Sequence, residues 1–233
     1  MVIDHSHRCI FVHIPKTAGN SVNRVFGISW QDHKDLARYA AEEPQAFSSY
    51  FKFAIVRNPW DRLLSDYNYQ CRKSRPECSK LFLRKDNGEK RSFREWLECA
   101  FSQPDRYGCR EWGGDVSPGI HRWSPQVDWL KVGGTIAVDE VLRLEELHEG
   151  LPRVWNRLGI RGRLPHRNRR FHWPYSWYYD DASRKMVADF YAEDIERFGY
   201  CFEGLASRIR SWSRNERPTR ILTPSLISSS CSP

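Results

Sequence analysis

The sequence predicts an α/β fold in which a central parallel sheet is flanked by helices. Two stretches carry the prediction. Residues 9–14, CIFVHI, form an apolar run, followed by the small polar loop PKTAGNS and then Val22, Val25 and Phe26 at helical spacing. Residues 51–56, FKFAIV, form a second apolar run, broken at Arg57-Asn58-Pro59-Trp60. An amphipathic pattern follows it, with Leu63, Leu64, Tyr67 and Cys71 on one side. Two strand–loop–helix units in succession favour parallel strands, with ligands gathered outside their carboxyl ends.

The bulk composition fits one folded domain. The chain has 233 residues, is 40% apolar, and carries 10 Trp, 10 Tyr and 12 Phe, which argues against disorder. Its net charge of +8 and pI near 9.2 favour an anionic partner such as a nucleotide, an acidic glycan or nucleic acid. No apolar run approaches the roughly 20 residues that span a bilayer, and the N-terminus lacks the apolar core of a signal peptide. A cytoplasmic protein is expected. The 7 cysteines form no C-x-x-C pair and no zinc-ligand spacing. Reduced thiols are expected, with Cys71–Cys78 and Cys99–Cys109 left open as disulfides.

Taken in order, residues 1–8 read as a polar lead-in. Residues 9–28 are the first strand–loop–helix unit. His33, Leu36 and Ala37 share a face of a short helix. Pro59 forbids a central strand and suits the first turn of the helix covering residues 61–71. Asn87-Gly88 marks a turn, and residues 93–101 read as helix. Residues 102–122, rich in Gly, Pro, Asp and Arg, read as a long loop of the kind that forms lids or substrate walls. Gly133-Gly134 is a turn, and residues 135–144 resemble a further strand. A helix over residues 145–158 is closed by Gly159. Residues 161–173, RGRLPHRNRRFHW, are basic and aromatic. Asp181 reads as the N-cap of one helix bearing Val187, Phe190, Tyr191, Ile195 and Phe198, ended by Gly199. A domain over residues 1–205 is followed by a flexible tail, residues 206–233, rich in Arg and then Ser and Pro. No repeat is evident.

The chemistry concentrates in two loops. Residues 15–21 offer small residues before a helix N-terminus, with Lys16 at the mouth, an arrangement suited to an anion. A nucleoside-triphosphate loop would read G-x-x-x-x-G-K-[ST]. Here Lys16 precedes Gly19, a second glycine is missing, and no magnesium ligand is obvious. An ordinary strand-to-helix turn with a surface lysine is the plainer alternative. In the second loop Arg57 sits at a strand end, with Ser65 eight positions later. Both could reach one phosphate, or both could be solvated.

Together the two segments say more. HIPKTAGNS, followed about forty residues later by FAIVRNPWDRLLSDYNY, resembles the two nucleotide-binding motifs of sulfotransferases that use 3′-phosphoadenosine 5′-phosphosulfate (PAPS). The variant is most similar to the carbohydrate sulfotransferase branch that includes the heparan 2-O-sulfotransferases and their bacterial relatives. HRWSPQVDWL, VDEVLRLEEL, LPHRN and YAEDIERFGYCF resemble downstream blocks of that branch, so the likeness spans residues 9–203. It implies a P-loop-like three-layer fold.

Residue by residue, the resemblance implies that Lys16 and the backbone of Thr17, Ala18, Gly19, Asn20 and Ser21 hold the 5′-phosphosulfate. Arg57 and Ser65 hold the 3′-phosphate. Lys16 neutralises charge on the leaving side, and no metal is required. His33, in WQDHKDLARY, is the expected base; His121, in HRWSPQ, is its rival. Imidazole suits the task through its pKa near 6.5. Glu145 either orients the loop lysine or the base, or is a helix-start carboxylate. His121, Gln126 and Glu145 are provisionally set beside the acceptor. Arg167 and Asn168 are set near the 3′-phosphate or adenine. A solvated basic loop ranks second for that run and nucleic-acid contact third, so no specific nucleic-acid partner is expected. The expected reaction moves a sulfuryl group from PAPS to a hydroxyl on a glycan or small glycoside, leaving adenosine 3′,5′-bisphosphate. A P-loop-type nucleotide kinase and a non-catalytic nucleotide- or nucleic-acid-binding protein are the rivals.

Overall fold

Alternation inside short strands builds both faces of the sheet. The computed structural model describes residues 3–27, 33–72, 83–102, 116–161 and 174–205. The first half comprises β1 (Ile3–Asp4), β2 (Cys9–Val12), α1 (Gly19–Val25), α2 (Leu36–Glu42), α3 (Pro44–Ser49) and β3 (Phe51–Val56). Then come α4 (Pro59–Arg72), α5 (Phe93–Ser102), the hairpin β4 (Lys131–Val132) and β5 (Thr135–Ile136), and β6 (Glu140–Arg143). The rest is α6 (Leu147–Leu158), α7 (Asp181–Phe190), α8 (Ala192–Phe198), β7 (Tyr200–Cys201) and β8 (Gly204–Leu205).

The main sheet runs β1-β2-β3-β6. β2 and β6 lie parallel to β3 on either side, with Phe11 opposite Phe53 and Ala54 opposite Val141. The predicted parallel core is therefore present. The lead-in supplies an antiparallel edge strand that the polar sequence 1–8 did not suggest, with Ile3 opposite Ile10.

Successive strand residues face opposite ways, as a period of two demands. Ile10, Val12, Ala54, Val56 and Val141 pack with Leu36, Tyr39 and Trp129. Phe11, Phe53, Ile55 and Leu142 pack with Val22, Leu151, Val154 and Trp155. Helical cover on both faces makes three layers and explains why these strands read as continuous apolar runs. A third cluster joins α4, α5 and α7 through Leu63, Leu64, Trp96, Trp123 and Tyr191.

Three boundaries differ from the sequence expectation. The strand expected over residues 135–144 is split: Thr135–Ile136 pairs back on Lys131–Val132 through Gly133-Gly134, and only Glu140–Arg143 joins the main sheet. Gly133 and Gly134, both at positive φ, turn the chain back so that Thr135–Ile136 pairs with Lys131–Val132 before the chain enters the main sheet. The expected single helix after residue 181 is two, broken at Tyr191 (φ −106°, ψ 27°), and its N-cap is Asp180. The Asp180 carboxylate accepts from the Ser183 amide at 2.9 Å while Ser183 Oγ accepts from the Asp180 amide at 3.0 Å, a reciprocal cap. The helix expected from Glu145 begins at Leu147 after a 3₁₀ turn, and ends at Gly159 (φ 69°) as expected. Cys71 and Cys99 carry free thiols; Cys78, Cys109 and the tail lie outside the described residues.

Candidate functional site

Three loops leave the carboxyl ends of β2, β3 and β6 on the same edge of the sheet, which is where a parallel sheet exposes unpaired backbone groups. The β2 loop is held in an unusual shape. Lys16 and Ala18 both have positive φ, 71° and 68°, a conformation that costs non-glycine residues about 1 kcal/mol or more each. Thr17 between them is fully buried and donates from Oγ1 to the Ile14 carbonyl at 2.9 Å.

Ala18 caps α1 with no side-chain hydrogen bond, and the first turn of α1 holds no acidic residue. The positive end of this helix is left to be met by something other than its own side chains. Gly19 serves for its lack of a side chain rather than for its φ: a Cβ there would lie 1.8 Å from the His13 ring.

The β3 loop closes on the β2 loop. Arg57 donates from Nη1 to the Lys16 carbonyl at 3.2 Å, and from Nε and Nη2 to Asp61 Oδ2 at 2.9 and 2.7 Å. Asp61, Ser65 and Tyr69 follow at intervals of four along α4 and so share one helix face. The Lys16 ammonium sits over the Tyr69 ring, 4.1 Å from its centroid, and the Arg122 guanidinium lies 5.5 Å from the same centroid. One face of α4 thus meets both cationic loop residues.

His33 stands on the other side of the β2 loop. Its Nδ1 lies 2.9 Å from the His13 carbonyl, and its ring is 4.2 Å from the His13 ring. A carbonyl only accepts, so Nδ1 carries the proton and Nε2 the lone pair. Burial depresses the His33 pKa to about 4; the Arg122 and Arg62 charges add to this, against the His13 hydrogen bond and Asp66. At neutral pH it is an uncharged ring with a basic Nε2.

A sequence model of the sulfotransferase family matches residues 1–201, nearly the whole chain up to the tail. The chain belongs to the sulfotransferase family. Its chemistry is therefore sulfuryl transfer to an acceptor hydroxyl. Comparisons with curated proteins and with solved structures returned no match.

Within this sulfotransferase, the other residues singled out from sequence divide. Ser65 lies half-buried on α4, one residue before Asp66. Asn20 is exposed and Ser21 is buried, its amide bonded to the Ala18 carbonyl at 2.9 Å. His121 accepts at Nδ1 from the Trp123 amide at 3.3 Å, so its neutral ring carries the proton on Nε2, the opposite tautomer to His33. Gln126, set beside the acceptor from sequence, is instead fully buried. It clamps the Arg57 backbone from both sides, accepting from the amide at 2.9 Å and donating to the carbonyl at 2.8 Å.

Glu145 stands in the 3₁₀ turn that opens α6, the helix-start position that is one of its two expected readings. It is an exposed residue with its carboxylate turned inward, accepting from the Asn58 amide at 2.8 Å and from the Tyr200 hydroxyl at 3.1 Å. Loss of hydration at that end raises its pKa despite these donors. It braces the β3 loop. Arg167 and Asn168 lie outside the described residues.

Sequence reasoning missed Asp61, Tyr69, Asp66 and Arg122. For the first two a signal existed: the four-residue spacing through Ser65 in DRLLSDYNY. Asp66 and Arg122 are 56 positions apart and carry none. The buried Asp66 accepts from Arg122 Nε at 2.8 Å, the Trp123 indole at 2.7 Å and Gln70 at 2.8 Å. Burial alone would raise its pKa; the Arg122 guanidinium overcomes this and holds it well below the usual carboxylate range.

Proposed function

We propose that this sulfotransferase takes PAPS as donor and sulfates a hydroxyl of a carbohydrate, with His33 as general base. The observation that carries the reading is the Arg57–Lys16 hydrogen bond. It holds two cationic residues from separate loops at one end of the sheet, as a ligand with separated anionic groups requires. The uncapped start of α1 fits the 5′ end of such a ligand. Thr17, Ala18, Gly19, Asn20 and Ser21 supply the backbone there, and Arg57 and Ser65 take the 3′-phosphate. The donor brings an already activated sulfuryl group.

The protein's own residues then have limited tasks. Sulfuryl transfer needs little nucleophilic push, so positioning and charge stabilisation dominate, as for phosphoryl transfer. Lys16 balances charge that develops on the leaving side. His33 Nε2 accepts the acceptor's proton, a role its tautomer supports and the tautomer of His121 opposes. Lys16 precedes Gly19 instead of following a second glycine, which argues against the kinase reading. The carbohydrate acceptor rests on the resemblance of the downstream blocks to that branch.

The deciding experiment measures turnover of PAPS with glycan and glycoside acceptors, together with binding of adenosine 3′,5′-bisphosphate. A preference for the 3′-phosphate over ATP and adenosine 5′-phosphate is expected. Equal affinity for ATP would sink the proposal.

A further inference from the structure

A permanently charged side chain lies beneath the site without an acid to neutralise it. Arg62, on α4, is 2% exposed. Its guanidinium donates only to main-chain carbonyls: from Nε to Pro15 at 3.1 Å, from Nη1 to Ser124 at 3.2 Å and from Nη2 to Arg122 at 2.8 Å. Among the described residues no carboxylate pairs with it, although the buried Asp194 feels its charge. Removing a charge from water is costly, and here three main-chain carbonyls offset that cost while being tied to one another through the guanidinium.

What it holds is the start of the β2 loop. Pro15 immediately precedes Lys16, the first of the two strained positive-φ residues. Residues 122 and 124 flank Trp123, which anchors on Asp66. Only a planar, forked donor reaches three carbonyls from one side chain; a lysine ammonium presents a point charge on a flexible stem. Arg57 grips the next carbonyl along, that of Lys16, so consecutive loop carbonyls are taken by two arginines of the second motif.

We infer that Arg62 is a positioning residue for the donor's 5′ end: it sets the Lys16 turn against the segment 122–124, while Arg57 attends to the 3′ end. This deepens the proposed use of PAPS and rests on it. The field of Arg62 also contributes to keeping His33 uncharged.

The test separates the two ends of the ligand. Dissociation constants for adenosine 3′,5′-bisphosphate, adenosine 3′-phosphate and adenosine 5′-phosphate are measured by calorimetry on the full chain, for wild type, Arg62→Lys and Arg62→Gln. The affinity ratio of bisphosphate to 3′-phosphate reports the grip on the 5′ end; the ratio to 5′-phosphate reports the grip on the 3′ end. In Arg62→Lys the first ratio is expected to fall about tenfold while the second stays within about threefold, since the loss is one set of charge-assisted bonds to the loop. Ratios that fall together, stay unchanged, or fall only at the 3′ end overturn the inference. So does failure of both variants to fold, which would make Arg62 a determinant of the fold alone. A wild type that shows no preference for the bisphosphate instead overturns the PAPS reading beneath it.

Discussion

The Arg57 guanidinium donates to the main-chain carbonyl of Lys16 at 3.2 Å, bridging 41 positions of sequence. The two motifs are therefore one structure. Arg57→Ala is expected to weaken binding of adenosine 3′,5′-bisphosphate by about 10- to 100-fold, the range for hydrogen bonds to a charged group. Binding of adenosine 5′-phosphate should fall less, through loss of the Lys16 carbonyl contact alone. Calorimetry on both ligands checks this, and equal losses for the two would remove Arg57 from the 3′ end.

Lys16 packs its ammonium on Tyr69 and lies in a loop whose shape is held by the Thr17 and Arg57 hydrogen bonds. Lys16→Met keeps the stem and deletes the charge. Turnover should drop about 10²- to 10³-fold, as for loss of one group that stabilises developing charge. The melting temperature should hardly move. Stopped assays of PAPS consumption, beside a thermal melt, give the comparison.

His33 titrates at about 4. Its base form persists from neutral pH down to that value, so the acid limb of kcat/KM, which reports the ligand-free enzyme, is expected near pH 4 rather than near 6.5. His33→Asn should cost about 10²- to 10⁴-fold in turnover and leave bisphosphate binding intact. Linkage gives a second readout. Between pH 6.5 and 4 the unfolded chain binds a proton that the folded chain refuses, so stability falls as pH drops through that window. In melting curves across this window wild type should lose stability relative to His33→Asn, and the two pH slopes should agree again below about pH 4, where the group contributes no further change.

A Cβ on Gly19 would lie 1.8 Å from the Cδ2 atom of the His13 ring, which is 2% exposed and has little room to retreat. Gly19→Ala is expected to destabilise by about 1–3 kcal/mol through overpacking. In the Gly19→Ala, His13→Ala double variant the two effects should not add, because the clash is gone. Urea titration of the four proteins measures the coupling, and simple additivity would refute the contact.

Arg122 neutralises Asp66 in a buried pair. Arg122→Met leaves that carboxylate uncompensated and should cost about 3–5 kcal/mol. Replacing both partners together, with Asp66→Leu, should cost less than the single change. Denaturant midpoints for the single and double variants test the order.

Much of the fold was legible in sequence. The runs 9–14 and 51–56 are apolar at every buried strand position except Lys52, and Pro59 and Gly159 mark helix boundaries through their own backbone restrictions. The split of residues 135–144 was not legible, because a strand buried on both faces need not alternate. Gln126 and Glu145 were placed in the motif blocks by sequence but given the wrong neighbours. Their partners, the backbones of Arg57 and Asn58, are 69 and 87 positions away.

The sequence by itself determined the α/β class, the two anion-suited loops and the family likeness, because each depends on residues within one local segment. Tertiary structure decided which loops touch, which tautomer His33 adopts and how Asp66, Arg122 and Arg62 are paired. Those outcomes depend on hydrogen bonds between segments distant in the chain, where a donor finds its acceptor only after the sheet has brought the strand ends together.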